Sequence, residues 1–387
     1  MIIGGKVVIL LAWLFWMMIV DNSVYGSPPN DRIDDNINKL VQQLEKLKAI
    51  KLRDTGESEE YNPTYGTTFD RVIKRGFIIC GTNDEFPGFS EEVYDGIDVK
   101  WKGFDVDICR AVAAAVFGDS DAVEYEIING VTRFTTLKDG TIDILSAATT
   151  YTFTRNVLKK FEFLPTTYYD GQGFITKKTL GVSSAKQMHG AKICFKGSGT
   201  AAKNIADFMQ LHEIKYIPVA VSVNEKTKDV YLRGDCDMYG TDRSGLASNR
   251  LGFDSPERHI ILPEIISKEP LGPVVKYGDQ KWSDIVRWTV YVLFIAEEMG
   301  INSKNIDRFI ENKDPNIQRF MGEKNGVDHP HLGAKLGLSP TWSYDVIKQV
   351  GNYEEIFNRN IKKKLGLKRG LNKLYSDGGL LYSPPLK

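Results

Sequence analysis

The chain has 387 residues, of which 42% are hydrophobic and 26% charged, and its 50 basic residues balance 50 acidic ones. This composition is typical of a globular protein with two or three domains, and it excludes a disordered or fibrous chain. A net charge of zero also argues against a nucleic-acid partner, because a polyanion-binding protein needs a basic excess or a basic stripe.

Residues 1–26 are predicted to form a signal peptide. Lys6 precedes an unbroken apolar run at 7–20, and small or β-branched residues lead to a cleavage site after Gly26. The run is shorter than the ~20 residues of a membrane-spanning helix, so an uncleaved anchor is the less favoured alternative. We therefore expect a soluble exported chain, either in a bacterial periplasm or secreted from a eukaryotic cell. No cysteine follows the cleavage site to carry a lipid anchor.

Export gives a structural meaning to the four cysteines, Cys80, Cys109, Cys194 and Cys236. An oxidising compartment favours disulfides, and four cysteines allow three pairings. The most local of these joins Cys80 to Cys109 and Cys194 to Cys236. No two cysteines have the C-x2-4-C spacing of a zinc site, so we expect no metal.

Residues 27–68 are predicted to be a helical appendage followed by a linker. Apolar residues recur at helical spacing in its first part, at Ile33, Ile37, Leu40, Leu44 and Leu47. Glycine and proline punctuate residues 54–68, which is typical of a linker. Packing of the helix on the body is the default, and pairing with a second copy is the alternative.

From Phe69 onward, short apolar strands alternate with helices, which predicts an α/β fold. The first half has predicted strands at 77–80, 123–128 and 143–148, and helices at 105–117 and 131–138. The second half has predicted strands at 192–195, 215–221 and 236–240, and helices at 200–212 and 225–233. A long helix is predicted at 282–299, followed by helix and loop.

In each half a polar cluster follows a strand: 149–152 with Arg155 in the first, and 241–244 in the second. Ligands of open α/β sheets bind beyond the carboxyl ends of strands, so two facing lobes would bring these clusters together. The guanidinium of Arg155 matches a carboxylate, and Asp242 could receive an ammonium. Together they describe an α-amino acid site. The alternative is that both are ordinary surface or capping residues.

Other kinds of chemistry find less support. Residues 197–202 fit a dinucleotide fingerprint, G-x-G-x-x-A, but no acidic residue ends the following strand, so we expect no cofactor. The same turn could hold a carboxylate instead. The cluster Asp328-His329-Pro330-His331 is interpreted as a loop, and neither a nucleophile elbow nor an H-E-x-x-H motif occurs. We expect a protein that is not an enzyme.

The sequence closely resembles the bacterial periplasmic solute-binding proteins of polar and general L-amino-acid ABC transporters. The resemblance extends from about Phe69 to the C terminus and is carried by residues 103–113, 168–174, 241–246 and 262–273. It implies a two-lobed clamshell of the type II periplasmic-binding-protein fold, in which helices flank mixed sheets.

The resemblance also implies where the lobes divide. Lobe one would comprise residues 69–173 plus 268–387, and lobe two residues 174–267. Two crossing strands, near 173–177 and 263–267, would form the hinge.

By motif position, the resemblance implies that Arg155 and Thr150 hold the α-carboxylate of the ligand, helped by Thr200 at a helix N-terminus. Asp242 would hold the α-ammonium. One departure lies before that helix, where Ser198-Gly199-Thr200 replaces the usual Gly-Thr-Thr and one hydroxyl is missing.

The side-chain pocket would be walled by Phe86 and Phe89. Asn83 stands nearby, where relatives often have aspartate. A second departure lies before Arg155, where Phe153-Thr154 replaces a common Pro-Glu.

The implied function is capture of L-amino acids of broad side-chain range, by a monomer, for uptake through an ABC permease. One rival is a periplasmic cyclohexadienyl or arogenate dehydratase on the same fold, with Asp84 or Glu85 as general acid. The other is a secreted amino-acid sensor, or an adhesin, that uses the helix of 28–68 to reach a partner.

Overall fold

The structure is a computed structural model that describes residues 67–96, 98–222, 225–322 and 332–387. The predicted signal peptide, the predicted helix of the appendage and the histidine cluster at 328–331 lie outside the described residues. Within the described ranges, no helix combines the length and the apolar character that crossing a bilayer requires.

The strands run in chain order as follows. The first are β1 (Ile78–Thr82), β2 (Glu85–Phe86), β3 (Ser90–Asp95), β4 (Asp98–Lys102) and β5 (Val123–Ile127). Next come β6 (Ile144–Leu145), β7 (Phe161–Phe163), β8 (Tyr168–Asp170), β9 (Gln172–Lys177) and β10 (Lys192–Lys196). The last are β11 (Ile217–Val221), β12 (Met238–Asp242), β13 (His259–Ile261), β14 (Glu269–Leu271) and β15 (Val274–Lys276).

The α-helices are numbered in the same way. The first six are α1 (Thr67–Arg75), α2 (Phe104–Phe117), α3 (Arg133–Asp139), α4 (Ala201–Leu211), α5 (Thr227–Arg233) and α6 (Arg243–Leu251). The remaining six are α7 (Gln280–Glu298), α8 (Pro315–Met321), α9 (Leu332–Leu336), α10 (Trp342–Val350), α11 (Tyr353–Phe357) and α12 (Lys363–Leu365).

Two mixed sheets form the framework. The first has the order β5-β1-β6-β15-β7, with β1 parallel to both neighbours and β15 antiparallel to β6 and β7. The second has the order β11-β10-β12-β9-β13, with β10 parallel to both neighbours and β9 antiparallel to β12 and β13. The central strands β1 and β10 are mostly buried, as their apolar runs require. The α/β class predicted from the alternating pattern is confirmed.

The chain passes between the sheets beside a short antiparallel pair, β8 with β14, in which Asp170 lies opposite Glu269. The stretches expected to form the hinge run beside each other. Residues 173–177 belong to β9, and the N–H groups of Leu262 and Ile266 donate to the carbonyls of Phe174 and Gln172 at 2.8 and 2.9 Å. Residues 263–267 have these backbone hydrogen bonds without a regular strand, and Pro263 has no N–H to donate to a ladder. Regular pairing resumes at Glu269, in β14.

Each sheet has its own hydrophobic core and its own disulfide. The α2 helix packs on the first sheet beside α7 and α10, with buried residues on nearly every side. Cys80 of β1 is bonded to Cys109 of α2, and Cys194 of β10 is bonded to Cys236, with Cα–Cα distances of 6.3 and 5.7 Å. This is the most local of the three possible pairings. By the chain-entropy account each bond stabilises the fold by about 3 to 4 kcal/mol.

Candidate ligand site between the sheets

The ends of strands in one sheet face the ends of strands in the other. Arg155 lies on a π-helical turn, Thr154–Leu158, that follows the polar cluster of the first half. Asp242 ends β12 in the second sheet. Each charge shifts the pKa of the other, so the two side chains lie close enough to interact. The sequence-predicted carboxylate holder and ammonium holder are therefore brought together.

Local contacts hold the Arg155 side chain in place. Its Nη1 donates to the carbonyl of Thr150 at 2.7 Å, and the guanidinium lies over the ring of Phe134 at 5.3 Å from the centroid. Burial lowers the pKa of Arg155, while the charges of Glu269 and Asp242 oppose that shift. The guanidinium remains positive, because arginine does not deprotonate in proteins. It is a fixed cation beside the Thr150 segment.

The segment that carries Thr150 is itself shaped by a buried acid. Oδ2 of Asp105 accepts from the N–H of Ala148 at 2.7 Å, and Oδ1 accepts from the hydroxyl of Ser146 at 3.2 Å. Ala148 has φ of 43°, a left-handed conformation that non-glycine residues rarely adopt. Burial raises the pKa of Asp105 to about 6. Thr150 itself is 4% exposed and forms a β-bridge to Leu271.

A second arginine, Arg133, lies beside the first and was missed by the sequence analysis. Its Nη1 donates to the carbonyl of Ala147 at 3.2 Å and to the hydroxyl of Thr149 at 3.1 Å. Burial, and then the positive charge of Arg155, lower its pKa to about 10. It lies within the helix predicted at 131–138 and begins α3. Its position just after β5, at the carboxyl end of a strand, was the available signal.

The ammonium side of the site is strongly acidic. Burial raises the pKa of Asp242, and the nearby carboxylates of Asp170 and Glu269 raise it further. Asp170 accepts from the N–H groups of Gly171 at 2.8 Å and Ser244 at 3.1 Å, and burial raises its pKa as well. Asp242 precedes α6 without capping it through its side chain. A hydrogen bond from Gln172 opposes the rise in the pKa of Asp242.

Thr200 lies at the start of α4, as expected, but its hydroxyl is occupied within the protein. It donates to Oε2 of Glu269 at 3.2 Å and accepts from Nε2 of Gln172 at 2.9 Å. Asn204 and Ser267 also donate to Oε1 of Glu269, at 2.7 and 2.9 Å. Glu269 is 1% exposed and was not identified from the sequence. Two of its three partners, Thr200 and Asn204, are distant in the chain, so the local sequence does not single it out.

The two phenylalanines expected to wall the side-chain pocket differ in position. Phe86 is half-buried and stacks on Phe89 with centroids 4.6 Å apart. Phe89 is only 1% exposed and packs against the rings of Phe104 and Tyr168. Phe89 therefore belongs to the core of the first sheet and contacts Phe86, and its role as a wall of the pocket stays a prediction. Asn83 is half-buried just after β1.

Three other kinds of site were considered in the sequence: a metal site, a dinucleotide site and a catalytic acid. Across the described ranges, no group of three or more His, Cys, Asp or Glu side chains could hold a metal ion. Residues 197–200, which fitted a dinucleotide fingerprint, connect β10 to α4. Asp84, the proposed acid of the dehydratase alternative, is half-buried, and the structure describes only the backbone of Glu85.

Comparison with known proteins gives consistent matches. The family model of bacterial extracellular solute-binding proteins, family 3, matches residues 78–363. The general L-amino acid-binding periplasmic protein AapJ of Rhizobium johnstonii is 47% identical over 83% of this chain and 93% of its own length. The glutamate/glutamine/aspartate/asparagine-binding protein BztA of Rhodobacter capsulatus is 43% identical over 83% and 94%.

A solved structure agrees with these matches. The ABC transporter periplasmic binding protein from Brucella ovis, with glutathione bound, is 41% identical and superposes with a TM-score of 0.79. The match covers 84% of this chain and 100% of that one.

Proposed function

Because the chain belongs to family 3 of the bacterial extracellular solute-binding proteins, we propose that it encloses L-amino acids between its two lobes for uptake by an ABC transporter. The observation that carries this proposal is the placement of Arg155 and Asp242 at facing strand ends, each within reach of the other's charge. An α-amino acid presents the two opposite charges that such a pair requires.

The proposed contacts follow from the chemistry of the side chains. The guanidinium of Arg155 and the Thr150 segment receive the α-carboxylate, because a guanidinium fork matches a carboxylate in bidentate geometry. Asp242 receives the α-ammonium. Burial of both ligand charges is tolerable only because each meets an opposite charge.

Capture works by closure. The ligand bridges groups that belong to different lobes, so it binds the closed arrangement better than the open one and shifts the population toward it. The paired strands β8 and β14 lie where the chain crosses between the sheets, and they supply the hinge. Release to a permease would then require the lobes to separate.

A broad side-chain range is supported by the relatives, which include a general L-amino acid-binding protein and one named for four different amino acids. Phe86 offers an apolar face to the ligand side chain, and Asn83 a neutral polar one. Arg133 adds a second cation near the site, which would favour ligands that carry a second carboxylate.

A second ligand class, a small peptide, is favoured by one observation. The similar Brucella ovis protein was solved with glutathione bound. Glutathione carries an α-amino acid group at one end and a further carboxylate at the other. The pair of Arg133 and Arg155 could receive both carboxylates.

We further propose a monomeric, periplasmic protein without catalytic activity. The relatives described above are named as binding proteins, and none of those names supports the dehydratase alternative. Incubation with arogenate or prephenate, followed by ultraviolet detection of an aromatic product, tests this point directly. Formation of such a product would make the protein an enzyme.

A thermal-shift screen of the twenty amino acids and glutathione tests the proposed function. A ligand that binds only the folded state raises the melting temperature by mass action. We expect shifts with several amino acids in the wild type and none with Arg155→Ala. Failure of every amino acid to shift the wild type would overturn the amino-acid proposal, and a shift with glutathione alone would support the peptide alternative.

A further inference from the structure

The two lobes touch where the loop after β5 meets the loop after β10. Gly130 follows β5 of the first sheet, and Ser198 follows β10 of the second. A Cβ added to Gly130 would overlap the Oγ of Ser198 and lie 3.3 Å from its Cβ. Oγ of Ser198 is buried and has no hydrogen-bond partner among the residues that the structure describes.

The space around Gly130, and not its backbone conformation, disfavours a larger residue at this position. It is absent from the set of glycines with positive φ, so alanine would fit its backbone. The neighbour that excludes a side chain belongs to the opposite lobe. While the two lobes are together, an added Cβ at 130 would therefore require the Ser198 hydroxyl to turn away and its Cβ to shift by a few tenths of an ångström.

A second contact between the lobes lies in the loop that carries Phe86. The hydroxyl of Ser248, on α6, donates to the carbonyl of Pro87 at 2.9 Å. The Phe86 ring lies 3.8 Å from where a Cβ on Gly245 would be. In this structure the lobes thus meet both at Gly130 and at Pro87.

We propose that Gly130 and Ser198 are positioning residues for ligand capture, which set how closely the lobes approach and thereby determine affinity without touching the ligand. This inference rests on the proposed function. The affinity of a protein that binds only when closed is its intrinsic affinity reduced by the fraction closed. A side chain at 130 disfavours the closed form and leaves the open form unchanged.

The test compares Gly130→Ala with a matched control, Gly252→Ala. Gly252 ends α6 with φ of −91°, is exposed, and has its nearest neighbour 3.6 Å from an added Cβ, an ordinary contact. We expect Gly130→Ala to weaken L-glutamate and L-leucine binding about tenfold by calorimetry, a typical effect of overpacking. Gly252→Ala should bind both as the wild type does.

Rescue distinguishes closure from a folding defect. Ser198→Ala removes the atom nearest to the added Cβ, so the Gly130→Ala/Ser198→Ala double variant should recover affinity, a coupling that a double-mutant cycle measures. Small-angle X-ray scattering at one subsaturating ligand concentration should show Gly130→Ala more extended than the wild type. Melting temperatures without ligand should be unchanged.

The outcomes separate the two proposals. If the wild type binds neither amino acid, the proposed function fails together with this inference. If the wild type binds and Gly130→Ala binds equally well, only the positioning role is overturned. Equal losses in Gly130→Ala and Gly252→Ala, or a loss that Ser198→Ala does not relieve, also contradict it.

Discussion

The hydroxyl of Thr200 donates to the buried carboxylate of Glu269 at 3.2 Å. A residue expected to help hold a ligand carboxylate therefore lies beside a negative charge of the protein itself. The hydroxyl has one proton and cannot donate to both carboxylates at once. Thr200 thus links the start of α4 to β14, beside the hinge.

Thr200→Val should lower the free energy of unfolding by about 1 to 3 kcal/mol, because a buried acceptor loses a donor while the side-chain shape is kept. Thr200→Ser retains the hydroxyl and is the control. Denaturant unfolding measures the stability, and calorimetry measures the affinity. A Val variant of unchanged stability that binds ligand poorly would instead assign the hydroxyl to the ligand.

Arg155→Ala and Asp242→Ala should each reduce amino-acid affinity at least tenfold, because each leaves a ligand charge buried without its partner. Arg233→Ala is a suitable control, since Arg233 pairs with Glu225 and Asp235 on the exposed surface. Isothermal calorimetry with L-glutamate and L-leucine measures all three. Unchanged affinity in both site variants would contradict the assignment of the site.

Affinity should fall as the pH is lowered. Burial and the neighbouring carboxylates raise the pKa of Asp242, and a proton on this carboxyl competes with the ligand ammonium. Binding below the raised pKa should therefore release a proton. Calorimetry over a series of pH values, in two buffers of different ionisation enthalpy, detects this release. Asp242→Asn is the control, because its side chain has no carboxyl group to release a proton. Equal binding heats of the wild type in the two buffers would show that binding releases no proton.

Asp105 predicts a separate dependence of stability on pH. Its pKa rises from 3.8 to about 6 on folding, so the folded state holds the proton more tightly. This contribution is complete below about pH 4 and is lost as the pH rises through 6, by ~3 kcal/mol in total. Unfolding free energies of the wild type and Asp105→Asn, measured at about pH 4 and 7, should diverge by that amount. If the difference in unfolding free energy between the two proteins were the same at both pH values, the pKa of Asp105 would not be raised on folding.

Removal of either disulfide should lower the free energy of unfolding by about 3 to 4 kcal/mol, given loops of 29 and 42 residues. The Cys194→Ala/Cys236→Ala double variant tests the second lobe, and the Cys80→Ala/Cys109→Ala variant tests the first. Ligand-induced compaction by small-angle scattering should persist in both. Loss of compaction with retained folding would show that a disulfide serves closure.

Elements with local start and stop signals could be predicted from the sequence. The helix predicted at 105–117 is α2, Phe104–Phe117, because Gly103 precedes it and Gly118 ends it in the left-handed conformation. The strand predicted at 143–148 is shorter in the structure, where β6 comprises only Ile144–Leu145. Asp105, distant in the chain, takes the N–H of Ala148 away from the ladder. A contact between residues so distant in the chain does not change the local pattern of apolar residues, so the sequence does not reveal it.

The same distinction applies to the site. Arg155, Thr150 and Asp242 follow strands, and the rule that ligands bind at strand ends identifies them without a structure. Glu269 could not be identified in this way, because Thr200 and Asn204 donate to its carboxylate from distant parts of the chain. The sequence also does not show that, of the two stacked rings, Phe89 is the more buried and Phe86 the more exposed.

The two disulfides divide the covalent structure in a way that bears on motion. Each closes a loop wholly on one side of the β8 and β14 crossing, and neither joins the first sheet to the second. Each half is therefore cross-linked against deformation, while the rotation between halves is left to noncovalent contacts and two stretches of main chain. Disulfide formation in an oxidising environment would therefore make each lobe more rigid without preventing rotation between the lobes.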